Sequence, residues 1–178
     1  MQFRNVLESV STFFETRQLR HALAGGLALA CYGSTRATTD VDLLVEEAGR
    51  TPGIAFLQSL GYETLGIYEG FSNHLHPLSG MGRVDLIYLN EPTASTIFSE
   101  TRTMTYFSRS IQVPRPEHLV AMKIAALEGD PKRFHKDMVD LEFLLALPGV
   151  EHEKIFYYFQ RHGLEERYEE IIRNFSRP

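Results

Sequence analysis

Apolar positions recur at helical spacing over Phe3–Thr16 and then give way to a short unbroken apolar run, His21–Ala24, that reads as a strand. A helix of small residues is expected after Gly26. Further strands are predicted at residues 41–46, 71–77 and 83–89. In the last of these Val84, Leu86 and Tyr88 alternate with Asp85, Ile87 and Leu89, so Asp85 stands on one face of an otherwise apolar strand. Past Val113-Pro114-Arg115-Pro116 every segment reads as helix: residues 116–127, 131–147, 151–162 and Glu165–Phe175. Pro116 and Pro131 suit first helical turns, and Gly129, Gly149 and Gly163 fall at helix ends. The expected class is α+β: a small mixed sheet with flanking helices over residues 1–113, then a helical region over residues 114–178.

The composition fits that class. The chain has 178 residues, 43% hydrophobic, 11% aromatic and 23% charged, enough for a globular core and too small for two large domains. The longest apolar run, from Ala22 to Tyr32, is broken by Gly25-Gly26 and falls short of the ~20 residues a bilayer requires. No basic stretch precedes an apolar core in MQFRNVLESV, so no membrane or secretory role is expected and a cytoplasmic location follows. Cys31 is the only cysteine, which excludes an internal disulfide and a thiolate zinc cluster; it reads as a small core residue. A net charge of −5 argues against a broadly basic nucleic-acid binder. Arg102, Arg109, Arg115, Lys132, Arg133 and Lys136 read as solvated faces.

The chemistry concentrates in Thr38-Thr39-Asp40-Val41-Asp42. Residues two apart on a strand point to the same side, so Asp40 and Asp42 present two carboxylates to one face while Val41, Leu43 and Val45 face inward. Solvent-facing alternation produces such pairs too. The third carboxylate, Asp85, shifts the balance, because an acid in an apolar strand is costly unless it is exposed or meets a cation. A neighbouring strand would bring it to the pair, and oxygen-only ligands suit Mg²⁺ or Mn²⁺. Gly25-Gly26, between a strand and a helix start, lets backbone N–H groups approach phosphate oxygens; a simple tight turn is the alternative. Lys123 has Leu119, Val120, Ala126 and Leu127 as helical neighbours, so its ammonium either reaches solvent or meets an anion.

Together these residues resemble the nucleotidyltransferase superfamily of the DNA polymerase β type. GGLALACYGSTRATTDVDLLV followed by PRPEHLVAMKIAALEGDPKRFHKDMVDLEFLL is similar to the AbiEii toxin group of minimal nucleotidyltransferases. The resemblance covers roughly residues 20–147. It implies that Gly25 and Gly26 hold a triphosphate, that Asp40, Asp42 and Asp85 bind two Mg²⁺ or Mn²⁺ ions, and that Asp85 helps deprotonate the attacking hydroxyl. It also implies nucleotide contacts from Lys123 and, in Lys136-Asp137-Met138-Val139-Asp140, from Asp137 or Asp140, with Ser34 and Arg36 as further phosphate or substrate contacts.

Some of these features have plainer readings. A flank salt bridge from Asp137 or Asp140 to Arg133 or Lys136 is the alternative there, beside a buried stripe of Phe134, Met138, Leu141 and Leu145. His74 and His76 read as surface or substrate-side polarity rather than zinc ligands, and Phe156 to Phe159 as helix packing. The expected activity is transfer of a nucleoside monophosphate from an NTP to an acceptor hydroxyl, with release of pyrophosphate. The acceptor could be tRNA, protein or a small molecule, and three settings stay open. One is a toxin with an antitoxin partner; another is an antibiotic-modifying enzyme, for which Glu46, Glu47 and Glu69 permit a cationic acceptor. The third is a non-catalytic binding module of the same fold.

Overall fold

The structure is a computed structural model that describes residues 3–129 and 134–175, with backbone alone at 3, 128, 129 and 134. The chain divides into two compact units, Met1–Pro114 and Arg115–Pro178. The first contains α1 (Phe3–Thr16), β1 (His21–Ala24), α2 (Gly25–Cys31), β2 (Asp40–Glu46), α3 (Arg50–Ser59), β3 (Glu63–Ile67), β4 (Phe71–Leu75), β5 (Arg83–Leu89), α4 (Thr93–Ser99), β6 (Arg102–Tyr106) and β7 (Arg109–Val113). The second contains α5 (Pro116–Gly129), α6 (Phe134–Leu145), α7 (His152–Arg161) and α8 (Glu165–Phe175).

Five strands form a mixed sheet in the order β1-β2-β5-β4-β3. β2 and β5 are parallel neighbours and the other pairings are antiparallel. The alternation read from the sequence places Val41, Leu43 and Val45 of β2 in register with Val84, Leu86 and Tyr88 of β5. All six are buried. Phe14 of α1 packs against this face: a Cβ at Gly53 of α3 would stand 2.9 Å from the Phe14 ring and 3.1 Å from Leu86. Phe13 stacks on Phe56 at 4.0 Å, completing the apolar layer between α1 and α3. β6 and β7 form a separate two-stranded ribbon. Its turn places Phe107 and Ser108 at φ +49° and +65°, a left-handed conformation usually given to Asn, Asp or Gly.

The sheet corrects the surface reading of His74. Its ring is fully buried and sits in a polar chain across the sheet. Thr64 Oγ1 lies 3.2 Å from Nδ1, Ser72 Oγ lies 2.7 Å from Nε2, and Ser72 in turn bonds the Tyr88 hydroxyl. Burial pushes the His74 pKa down, with the Asp85 charge opposing, and burial lowers His21 in the same way. Both rings resist a proton in the folded chain that they accept near pH 6.5 in the unfolded chain. Their contribution to stability is therefore complete above pH 6.5 and falls as the pH drops through that value. Urea unfolding between pH 8 and 5.5 is expected to show stability declining by up to about 1.4 kcal/mol per pH unit for each histidine. The slope should be shallower in His74→Gln.

In the helical unit α6 is rotated from the expected stripe. Asp137, Asp140, Leu141, Leu144 and Leu145 are buried, whereas Met138 is half-buried. The polar flank thus turns inward with the apolar one. The predicted helix start at Pro131, the residues Lys132 and Arg133, and the side chain of Phe134 lie outside the described residues. Among the described residues no helix is long and apolar enough to cross a membrane.

Candidate active site

The sheet face opposite the α1–α3 layer carries the acids. Asp42 and Asp85 are register partners on the parallel strands β2 and β5, which places their Cα atoms one strand spacing apart, about 4.8 Å. Asp40 projects from the same side of β2, one pleat away, opposite Arg83. Asp42 also faces Ala24 across β1, and this brings the start of α2 onto its carboxylate. A Cβ at Gly25 would lie 1.9 Å from Asp42 Oδ2, and Gly25 has φ +56°. Only glycine fits there. At Gly26 a Cβ would meet Thr38 at 2.7 Å and the Arg36 guanidinium at 3.1 Å. The glycine pair is thus packed against the acid-bearing strand and the loop before it, and its first N–H groups open a helix rather than satisfy one.

The loop before β2 gathers the remaining residues singled out in this unit. Ser34 Oγ accepts from the Arg36 backbone N–H at 3.4 Å, and Arg36 donates to the Ala37 carbonyl at 3.1 Å. Thr39 Oγ1 donates to Asp40 Oδ1 at 3.1 Å. Gly25, Gly26, Asp40, Asp42 and Asp85 accordingly gather at one end of β1, β2 and β5, with the Arg36 guanidinium beside Gly26 and Ser34 reaching them only through its bond to the Arg36 backbone.

A cation belongs to this group as well. Arg83, two positions before Asp85 on β5 and hence on the same face, donates from Nε to Asp85 Oδ1 at 2.8 Å. The hydrogen bond to Asp85 raises the guanidinium pKa above its ordinary range against desolvation, and the charges of Asp85, Asp40 and Asp42 raise it further. Arg83 therefore feels all three acids. The i, i+2 spacing in Arg83-Val84-Asp85 was the sequence signal for it.

Asp40, Asp42 and Asp85 match a hard divalent ion in donor type, charge and strand register. As the side chains stand, no three acidic, imidazole or thiol groups among the described residues are grouped to hold a metal ion. Convergence on one ion requires side-chain rotation, Asp85 being turned towards Arg83.

Lys123, Asp137 and Asp140 lie in the helical unit and meet each other there. Lys123 Nζ is 2.9 Å from Asp137 Oδ1 and 2.5 Å from Asp140 Oδ2. The lysine side chain is 10% exposed and the two acids are fully buried. Lys123 thus meets anions on its apolar helix face; of the partners expected for a flank bridge, Arg133 lies outside the described residues. Glu117, also buried, accepts from the Glu151 backbone N–H at 2.8 Å and pairs with Arg115.

With the fold and these positions in place, comparison with solved structures shows that the chain has the nucleotidyltransferase fold. The antibiotic-resistance factor ANT(2″)-Ia superposes with a TM-score of 0.58 at 14% identity, over 96% of this chain and 89% of that one. The lincosamide antibiotic adenylyltransferase LnuA, solved with lincomycin bound, gives 0.57 at 17% identity over 80% and 96%. An antigenic nucleotidyltransferase-like protein from Paracoccidioides brasiliensis gives 0.54 at 14% identity over 92% and 91%. No protein-family model matches the chain, and no curated protein matches it in sequence.

Proposed function

We propose that this protein is a metal-dependent nucleotidyltransferase that moves a nucleoside monophosphate from an NTP to an acceptor hydroxyl. One observation carries the reading: the parallel register that sets Asp42 beside Asp85, with Asp40 on the same face and the Gly25-Gly26 helix start against them. In the reaction the acceptor oxygen bonds to the α-phosphorus, the bond to the pyrophosphate oxygen breaks, and the acceptor proton leaves to a carboxylate or to water. Asp40, Asp42 and Asp85 would hold Mg²⁺ or Mn²⁺, which supplies charge neutralisation for the triphosphate and activation of the acceptor oxygen. The chain's own part is placement. Gly25 and Gly26 leave room for phosphate oxygens, Arg36 offers a guanidinium beside Gly26, and Asp85 is the acid available to take the proton once it is free of Arg83.

For the acceptor, the likeness to ANT(2″)-Ia and to the lincosamide adenylyltransferase supports a small hydroxylated molecule. A toxin role with a protein antitoxin is the second reading. It rests on the resemblance of Lys123, Asp137 and Asp140 to the AbiEii motif in sequence; in the structure these three side chains pair with one another.

The test is calorimetric titration with each of the four NTPs, with and without Mg²⁺, followed by a pyrophosphate-release assay against aminoglycosides, lincosamides and tRNA. Binding that needs the metal, and pyrophosphate released with one acceptor class, is the expected result. Absence of binding by every nucleotide would refute the enzymatic reading. Growth arrest on expression, without any small-molecule acceptor, would select the toxin role.

A further inference from the structure

Arg83 has no role of its own in the reaction set out above, although it is paired with one of the three acids. Its Nε–H points at Asp85 from the same strand face, 2.8 Å away, and its Cα is the register partner of Asp40. The Asp85 side chain is 16% exposed and that of Arg83 is 38% exposed, so the pair is shielded on the acid side and reaches water on the other. Three carboxylates on adjoining strand positions repel one another, and a guanidinium among them lowers that cost.

We propose that Arg83 is a built-in counter-ion of the acidic site, one that competes with divalent metal for Asp85 Oδ1 and so weakens the hold of the three carboxylates on an ion. This rests on reading Asp40, Asp42 and Asp85 as metal ligands. Arg83 is then a positioning residue: it acts on the metal through Asp85 and sets how tightly the ion is held. A long, half-exposed side chain suits the task, because the guanidinium can swing to solvent or to the phosphates of an arriving nucleotide without moving the strand.

Titration of the full chain with Mn²⁺ alone, read by calorimetry and by the spin-resonance signal of free Mn²⁺, tests this without turnover. Arg83→Gln is expected to bind Mn²⁺ about five- to tenfold more tightly than the unaltered protein. Arg83→Lys, which keeps the charge but loses the planar fork, should lie between the two. In an Asp85→Asn background the effect of Arg83→Gln should vanish. Equal or weaker Mn²⁺ binding by Arg83→Gln would overturn the counter-ion role while leaving the metal site intact. Equal tightening in the Asp85→Asn background would also overturn it, since the gain would then come from overall charge. If neither the unaltered chain nor Arg83→Gln binds Mn²⁺, the metal-ligand reading fails together with the proposal.

Discussion

Asp42→Asn is expected to lower nucleotidyl transfer by roughly a thousandfold while leaving thermal unfolding close to that of the unaltered chain. Asp42 sits at the crossing of every relationship that defines the site. It pairs in register with Asp85 on β5 and with Ala24 on β1, and its Oδ2 occupies the space that a side chain at Gly25 would need. Asparagine has nearly the same shape, so the packing against Gly25 survives. What disappears is a negative charge and one oxygen able to ligate a cation. A pyrophosphate-release assay beside a melting curve separates the two effects. Retention of full metal-dependent activity would remove Asp42, and with it the proposed metal pair, from the mechanism.

The second large effect concerns stability. Lys123→Met should destabilise the chain by about 3–5 kcal/mol, because it removes a buried ammonium that lies 2.9 Å from Asp137 Oδ1 and 2.5 Å from Asp140 Oδ2, both of them buried acids. Methionine fills a volume similar to the lysine stem, so the loss reflects the removed positive charge rather than a cavity. Combining it with Asp137→Asn and Asp140→Asn should restore most of the deficit, since neutral groups of the same shape tolerate burial far better. Urea unfolding of the single and triple variants measures both. A single variant as stable as the parent would show that the two acids find enough compensation elsewhere.

The strands that build the site were legible because alternation holds where the acids lie, over Asp40–Leu43 in β2 and Arg83–Tyr88 in β5. β5 runs over the predicted Arg83–Leu89, and β2 begins at Asp40, one residue before the expected start. The neighbouring elements escaped for local reasons. α3 carries Pro52 and Gly53, which weaken a helical pattern, and Gly53 is there because the Phe14 ring and Leu86 occupy the place of a side chain. β3 was missed because Gly66 and a register shift between Thr64 and Gly66 interrupt its period, and because its apolar residues Leu65 and Ile67 face solvent. The β6–β7 turn carries Phe107-Ser108 where a hairpin normally announces itself with Asn-Gly, so nothing in the sequence marked it.

For the site, residue types and faces could be read and contacts could not. The three acids and the glycine pair were recognisable, but the packing of Gly25 on Asp42 depends on a β1–β2 register that periodicity does not contain. His74 looked like a surface residue because its polar surroundings are assembled across strands: Thr64 comes from β3, and Ser72, its partner on β4, bonds in turn to Tyr88 of β5. Lys123 was recognisable as a lysine in search of an anion. That the anions are Asp137 and Asp140 together follows only once α5 and α6 pack.

The parallel pairing of β2 with β5 has a consequence for how the chain matures. β3, β4 and β5 form a meander of sequential neighbours, whereas β2 meets β5 only across the whole of α3, β3 and β4. Closing that distance is the least local step in building the sheet, and non-local pairings govern how quickly a small domain folds. Asp42 and Asp85 come together in that step and no earlier one. A partly folded chain can therefore hold its helices and its meander and still have no acidic site, and catalytic competence would arrive with sheet closure.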